Sequence, residues 1–166
     1  MSEPTNDVPQ ATPEDGQQPA FRVLAQYVKD FSFENPNAPA SFKADTQQPK
    51  VDVGLDVQAK SLGGDQYESW LTIRVSSKRD EDTIFLCELA YAGVFLVRNL
   101  PREQLEPVLM VECPRLLFPV ATIIVAQAIR DGGFPPLLLE PVNFADLYQQ
   151  QVKARAEQAA GEPAAS

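Results

Sequence analysis

The chain contains no histidine. That removes the side chain most used as a general base and as a metal ligand. The two cysteines, Cys87 and Cys113, stand far apart, and neither belongs to a C-x-x-C pair with zinc-site spacing. Each lies in an apolar run, FLCEL or MVECP, as a buried thiol does, rather than in a disulfide framework. Cations are scarce: 14 Lys and Arg stand against 23 Asp and Glu, for a net charge of −9. A phosphate backbone rewards clustered cations, so nucleic acid is excluded as a partner, and an anionic bilayer surface repels the chain for the same reason. The glycine pairs at 63–64 and 132–133 lack the lysine and the strand–helix context of a phosphate loop and read as turns. The first residues have neither a basic segment nor an apolar one, so they do not form a signal peptide. The longest apolar run, LLFPVATIIVAQAI, is short for a membrane span and holds Pro119, so no direct membrane insertion is expected. These absences lead to a cytoplasmic acidic binding protein, with no catalytic residues, no metal and no cofactor.

What is present is enough apolar material for a core: 44% of 166 residues, the size of one domain. Residues 1–20 form an acidic, proline-rich tail, expected to be disordered because it buries too little to offset its ordering entropy. The domain is expected at 21–152, followed by a flexible tail at 153–166. In YVKDFSFE, alternation puts Tyr27, Lys29, Phe31 and Phe33 on one face and Val28, Asp30, Ser32 and Glu34 on the other. VDVGLDVQA sets Val51, Val53, Leu55 and Val57 against Asp52, Asp56 and Gln58. YESWLTIRVS sets Tyr67, Leu71, Ile73 and Val75 against Trp70, Thr72 and Arg74, and DTIFLCELAYAGVFLVRNL is apolar on both sides. Four strands joined mainly by short turns predict an antiparallel sheet. The exception is the loop NPNAPASFKADTQQPK, long enough to be functional.

The second half reads as helices. Pro101 suits a first helical position, while Pro107 and Pro114 are expected to break regularity. LLFPVATIIVAQAIRD is a helix stopped by Gly132 and Gly133, FPPLLLEPV is an extended connection, and Asn143 caps a last helix. Strands followed by helices give an α+β fold, a four-stranded sheet with two principal helices packed on one side.

The central helix is apolar almost all round, so the stripe carrying Ile123 and Ile124 needs a second cover, and a subunit interface supplies one. The last strand makes a similar case with Phe85, Cys87, Leu89 and Tyr91 on one face and Ile84, Leu86 and Ala90 around Glu88 on the other. The acids group by alternation: Asp30 with Glu34, and Asp52 with Asp56. If these faces coincide, the sheet offers an acidic surface to a basic protein. The carboxylates are too evenly spread for a hydrolytic dyad. Phe42, Phe118, Phe134, Phe144 and the run LLLEP lie in or beside irregular segments where extended apolar polypeptide could dock.

Four strings in this order, FSFENPNAPASF, FLCELAYAGVF, ECPRLLFP and RDGGFPPLLLEPVNFADLYQQ, resemble the bacterial protein-export chaperone SecB family over nearly the whole domain. The resemblance implies an ATP-independent chaperone that keeps precursor proteins unfolded and delivers them to the SecA motor, assembled as a homotetramer, a dimer of dimers. It implies SecA contacts at Asp30, Glu34, Leu86 and Glu88, and tetramer-sensitive positions at Cys87, Leu89 and Tyr91. It implies a client groove at Phe42, Phe85, Phe118, Phe134, Leu137 and Phe144. The tryptophan common in the first loop of the family is absent, since Thr46 follows Asp45. The alternative is a non-catalytic α+β adaptor that binds one dedicated folded partner.

Overall fold

The computed structural model describes residues 18–44 and 47–161. Among them the chain forms one antiparallel sheet of β1 (Ala20–Glu34), β2 (Lys50–Gly63), β3 (Gln66–Arg79) and β4 (Asp82–Arg98), in the order β1-β4-β3-β2. Hairpins join β2 to β3 and β3 to β4. Their turns place Gly63, Gly64, Asp65 and Asp80 at positive φ, where glycine and aspartate cost least. The expected tail at 1–20 lies outside the described residues except for its last three.

One face of the sheet carries the core. Cross-strand register aligns Phe31, Leu89, Ile73 and Leu55 in one row, and Val28, Tyr91, Leu71 and Val57 in the next. Leu71, Ile73 and Leu89 are fully buried there with Phe95. The first strand departs from simple alternation. A bulge between Val28 and Asp30 takes Lys29 out of the pairing, so Val28 joins Phe31 and Phe33 on the core side. Tyr27 and Lys29 instead reach Glu68 on the other side, at 2.8 and 2.7 Å. One inserted residue shifts the parity of the residues before it, here back to a second bulge between Val23 and Ala25.

The helical half is more continuous than the prolines suggest. The helix α1 (Arg102–Pro107) passes through a π turn at Val108–Glu112 directly into α2 (Cys113–Asp131). Arg102–Asp131 is therefore one 30-residue rod, long and apolar enough to cross a membrane by those two criteria alone. One apolar stripe of it packs on the sheet: Cys113, Leu117, Ala121, Val125 and Ile129 are completely buried at helical spacing. The π turn has a local cause. Cys113 N–H donates to the Val108 carbonyl, five residues back, and the next such donor would be Pro114, which has no N–H. The Leu109 carbonyl is taken instead by the buried Ser69 hydroxyl of β3 at 2.9 Å. Ser69→Ala leaves that carbonyl without a partner and should cost about 1–2 kcal/mol in urea unfolding, with secondary structure retained.

Gly132 ends α2, Gly133 turns at φ +93°, and an extended strand-like connection leads to α3 (Phe144–Gly161). The Asn143 side chain accepts from the N–H groups of Ala145 and Asp146, capping α3 as expected. That helix runs past 152 to Gly161.

Candidate functional site

Three surfaces are built on this frame. The first is the sheet face turned away from α2, which α3 reaches only at its β2 edge, where Gln151 meets Asp56. Register places Glu34, Leu86, Ser76 and Asp52 in one row across β1, β4, β3 and β2, and Ser32, Glu88, Arg74 and Gly54 in the next. Asp30, Ala90, Thr72 and Asp56 form the third. Alternation grouped these residues strand by strand and left open whether the faces coincide; register shows that Asp30, Glu34, Leu86, Glu88 and Asp52 share one face. Rows are about 7 Å apart along the strands. Asp30, Glu34, Asp52 and Leu86 are exposed, and Glu88 is ion-paired to Arg74 at 3.0 Å. Gly54 has no side chain, and between these strands lies a shallow groove of about 540 Å³.

The same face has a different far end. Ala90 and Ala92 of β4 are small enough for Tyr27 and Lys29 of β1 to reach over them to Glu68 of β3. Lys60 of β2 joins from the other side at 3.1 Å, and Lys29 also lies 3.9 Å from the Trp70 ring centre. Burial alone would raise the Glu68 pKa, but the hydrogen bonds from Lys29, Tyr27 and Lys60 outweigh it and hold it at about 2. Tyr27 is pushed up to about 12, by burial and then by its bond to the Glu68 carboxylate. This cluster pins both edge strands to the middle of the sheet. The sequence offered a signal for it, since Glu68 is the one acid on a strand otherwise apolar or uncharged up to Arg74.

The second surface is aromatic. Phe42, on a 3-10 turn at Ala40–Phe42, stacks on Phe134 with centroids 5.2 Å apart. Phe134 lies 5.0 Å from Phe85, and Phe85 5.8 Å from Phe33. The loop is held against β4 by Asn37 Nδ2 donating to the Thr83 carbonyl at 2.9 Å. Gly132 and Gly133 let these rings close onto backbone. A Cβ at Gly132 would fall inside the Phe33 ring, and one at Gly133 would sit 2.8 Å from Phe42. Phe118, Leu137 and Phe144 gather elsewhere. Phe118 and Phe144 meet edge to face at 5.5 Å. A groove of about 400 Å³ runs from Val53 and Leu55 past Phe118 to Leu137 and the outlying Leu138. Of these six, Phe85 and Phe144 are buried and act as floor, whereas Phe42 is half exposed. Phe33 belongs to the cluster and was missed, although its spacing from Phe31 put it on the right face. Asp45 and Thr46, where the family tryptophan is missing, lie outside the described residues.

The third surface is an apolar stripe along the edge of the molecule. Leu116, Val120 and Ile123 point outward from α2, and Ile123 is 67% exposed. Beside them Phe31 and Val28 of β1 are also exposed, and a groove of about 580 Å³ runs between Phe31, Ile123 and Ile124. Cys87, Leu89 and Tyr91 lie elsewhere. They are on the core side of β4 beneath α2, with Leu89 fully buried. Strand alternation identified their shared face but not which face the helices cover. Both cysteines are free thiols, and burial raises both pKa values, with Glu112 adding to it at Cys113. They are unreactive positions.

Comparison with known proteins identifies the family and the fold. Residues 14–155 match the family described as preprotein translocase subunit SecB. A protein-export protein SecB of Rhodopseudomonas palustris (strain TIE-1) is 52% identical over 152 residues, covering 92% of this chain and 96% of that one. The protein of the same description from Maricaulis maris is 50% identical, covering 87% of this chain and 84% of that one. Among solved structures, the SecB-like chaperone of Mycobacterium tuberculosis, in complex with a peptide from an antitoxin, superposes with a TM-score of 0.60. It covers 74% of this chain and 90% of its own, at 12% identity, and so speaks for the fold. With a family match spanning the sheet and all three helices, and half of the residues shared with its relatives, this chain belongs to the SecB family of protein-export proteins.

Proposed function

We propose that the protein is an ATP-independent, cytoplasmic chaperone that keeps precursor proteins unfolded for export and hands them to SecA. The observation that carries this reading is the division of labour between surfaces. Aromatic and leucine-rich grooves lie at the helix connection, and a separate acidic groove lies on the open sheet face. Extended polypeptide of varied sequence is best held by many weak apolar contacts, such as those of Phe42, Phe134, Phe118 and Leu137, with Phe85 and Phe144 beneath them. A folded, basic partner is best met by fixed carboxylates. Asp30, Glu34 and Glu88, around Leu86, have that form. No step of this work requires a catalytic residue, metal or cofactor.

The apolar stripe of β1 and α2 supports assembly as a homotetramer, a dimer of dimers. It leaves Val28, Phe31, Leu116, Val120 and Ile123 exposed along one edge, an apolar stripe that a second copy would cover. Positions Cys87, Leu89 and Tyr91 would influence that assembly through the packing of α2.

Binding to SecA, followed by calorimetry, tests the reading. Asp30→Ala/Glu34→Ala should weaken binding about tenfold at low salt, about half of that factor per exposed charge on a logarithmic scale. Suppression of client aggregation should be unchanged. Unchanged SecA affinity in the double variant would remove the acidic face from the account. Loss of client holding as well would mean that the two surfaces are not separate.

A further inference from the structure

In the middle of the acids on the open sheet face stands Arg74, between the Lys50–Lys78 row at one end and the Lys29–Lys60–Glu68 cluster at the other, and nothing in the reading above uses it. Arg74 sits in the central row, opposite Glu88 on β4 and opposite Gly54 on β2. The rows on either side bring Glu34 and Asp52, and Asp30 and Asp56. Asp56 is engaged by the Gln58 and Gln151 side chains, which leaves Asp30, Glu34, Asp52 and Glu88 on the same face around the arginine, with Glu88 in contact with it. Its Nε donates to Glu88 Oε2 at 3.0 Å, and both side chains stay about half exposed. A Cβ at Gly54 would lie 3.9 Å from the Arg74 Cβ with no other atom close, so the space above Gly54, next to the base of the Arg74 side chain, is open.

We propose that Arg74 is a specificity-determining residue of the docking face, an internal counter-ion that a cationic protein surface must displace from Glu88 before it can take all four carboxylates. The inference rests on the reading of this face as a docking surface. A partner approaching with Lys or Arg meets a repelling charge at the centre and attracting charges around it. The bound state then requires the guanidinium to swing toward the open side, over Gly54, or to find an acceptor on the partner. Either requirement lowers affinity for a purely cationic segment, and the second favours a partner that also presents a carboxylate or carbonyl. Arg74 thus holds the acidic face to moderate affinity and biases it against indiscriminate basic sequences.

The test compares wild type, Arg74→Gln and Arg74→Lys in titrations with SecA and with a decalysine peptide, at two salt concentrations. Circular dichroism and client holding serve as controls on the fold. Arg74→Gln should bind decalysine about five- to tenfold more tightly at low salt, with a steeper loss on adding salt. Its gain toward SecA should be smaller than its gain toward decalysine. Arg74→Lys keeps the charge and should stay near wild type. If wild type binds decalysine but not SecA, and Arg74→Gln still tightens the peptide, the role of the arginine stands and SecA fails as the partner. If Arg74→Gln tightens neither probe while remaining folded, or if wild type binds neither, the proposal is overturned. Weaker binding by Arg74→Gln would also overturn it, because Arg74 would then be needed to hold Glu88 in its docking position.

Discussion

In Ile123→Asp the assembly should come apart while each protomer stays folded. Ile123 is the outermost residue of the α2 stripe, two-thirds exposed in the protomer, so the new carboxylate remains in water as long as no second copy covers it. Covering it leaves a charge without a partner in apolar surroundings. A cost of roughly 3 kcal/mol raises the dissociation constant about a hundredfold. Light scattering at micromolar protein should report a fall from the tetramer mass, with circular dichroism and thermal unfolding of the protomer little changed. A change at Val125, two residues on but completely buried, would fail differently, by unfolding. A tetramer that persists in Ile123→Asp would place the interface elsewhere.

Glu68→Gln should be the most destabilising single change on the open face. Glu68 is 4% exposed and holds Lys29, Lys60 and the Tyr27 hydroxyl at once. Its loss strands two ammonium groups and removes the link that draws β1 and β2 toward β3. Water reaches both lysines from one side, so the cost is about 2–3 kcal/mol, below that of a fully buried pair. The pH dependence follows from the lowered pKa. In the folded chain Glu68 titrates at about 2 instead of the usual 4.5. The stability it contributes is therefore complete above 4.5 and is lost as the pH falls toward 2. The difference between wild type and Glu68→Gln in urea unfolding should shrink across that window. A constant difference down to pH 2 would mean that the carboxylate is not what stabilises the cluster.

The sheet was legible because strands announce themselves by period-two alternation, which paired Asp30 with Glu34 and Leu86 with Glu88 within their strands; that the two pairs share a face came from register. What alternation does not carry is an inserted residue. The bulge at Lys29 turned Val28 and Tyr27 over, and it hid the Glu68 cluster, whose members come from three strands that only the fold brings together. The prolines misled in the opposite direction. Pro107 and Pro114 read as breaks, yet the rod continues through both; at Pro114, whose missing N–H leaves the Leu109 carbonyl over, the Ser69 hydroxyl satisfies it. That hydroxyl lies 40 residues away in sequence, beyond any local pattern. Cys87, Leu89 and Tyr91 show a related limit. A strand apolar on both faces does not say which face the helices take, and only the position of α2 decides that these three lie inside. The aromatic cluster was half visible. Phe42, Phe85 and Phe134 stood out by composition, but Phe33 joins them only because Gly132 lets its ring lie against the end of α2.

The central claim is that these surfaces hold unfolded precursor without fuel. Its most direct measurement is the light scattered by a chemically unfolded, signal-bearing precursor as it is diluted out of denaturant, with and without this protein and with no nucleotide present. The account predicts that aggregation is suppressed at about one tetramer per precursor, and that the precursor stays sensitive to protease as an unfolded chain. Aggregation that proceeds at the same rate in the presence of an intact, folded assembly would contradict it.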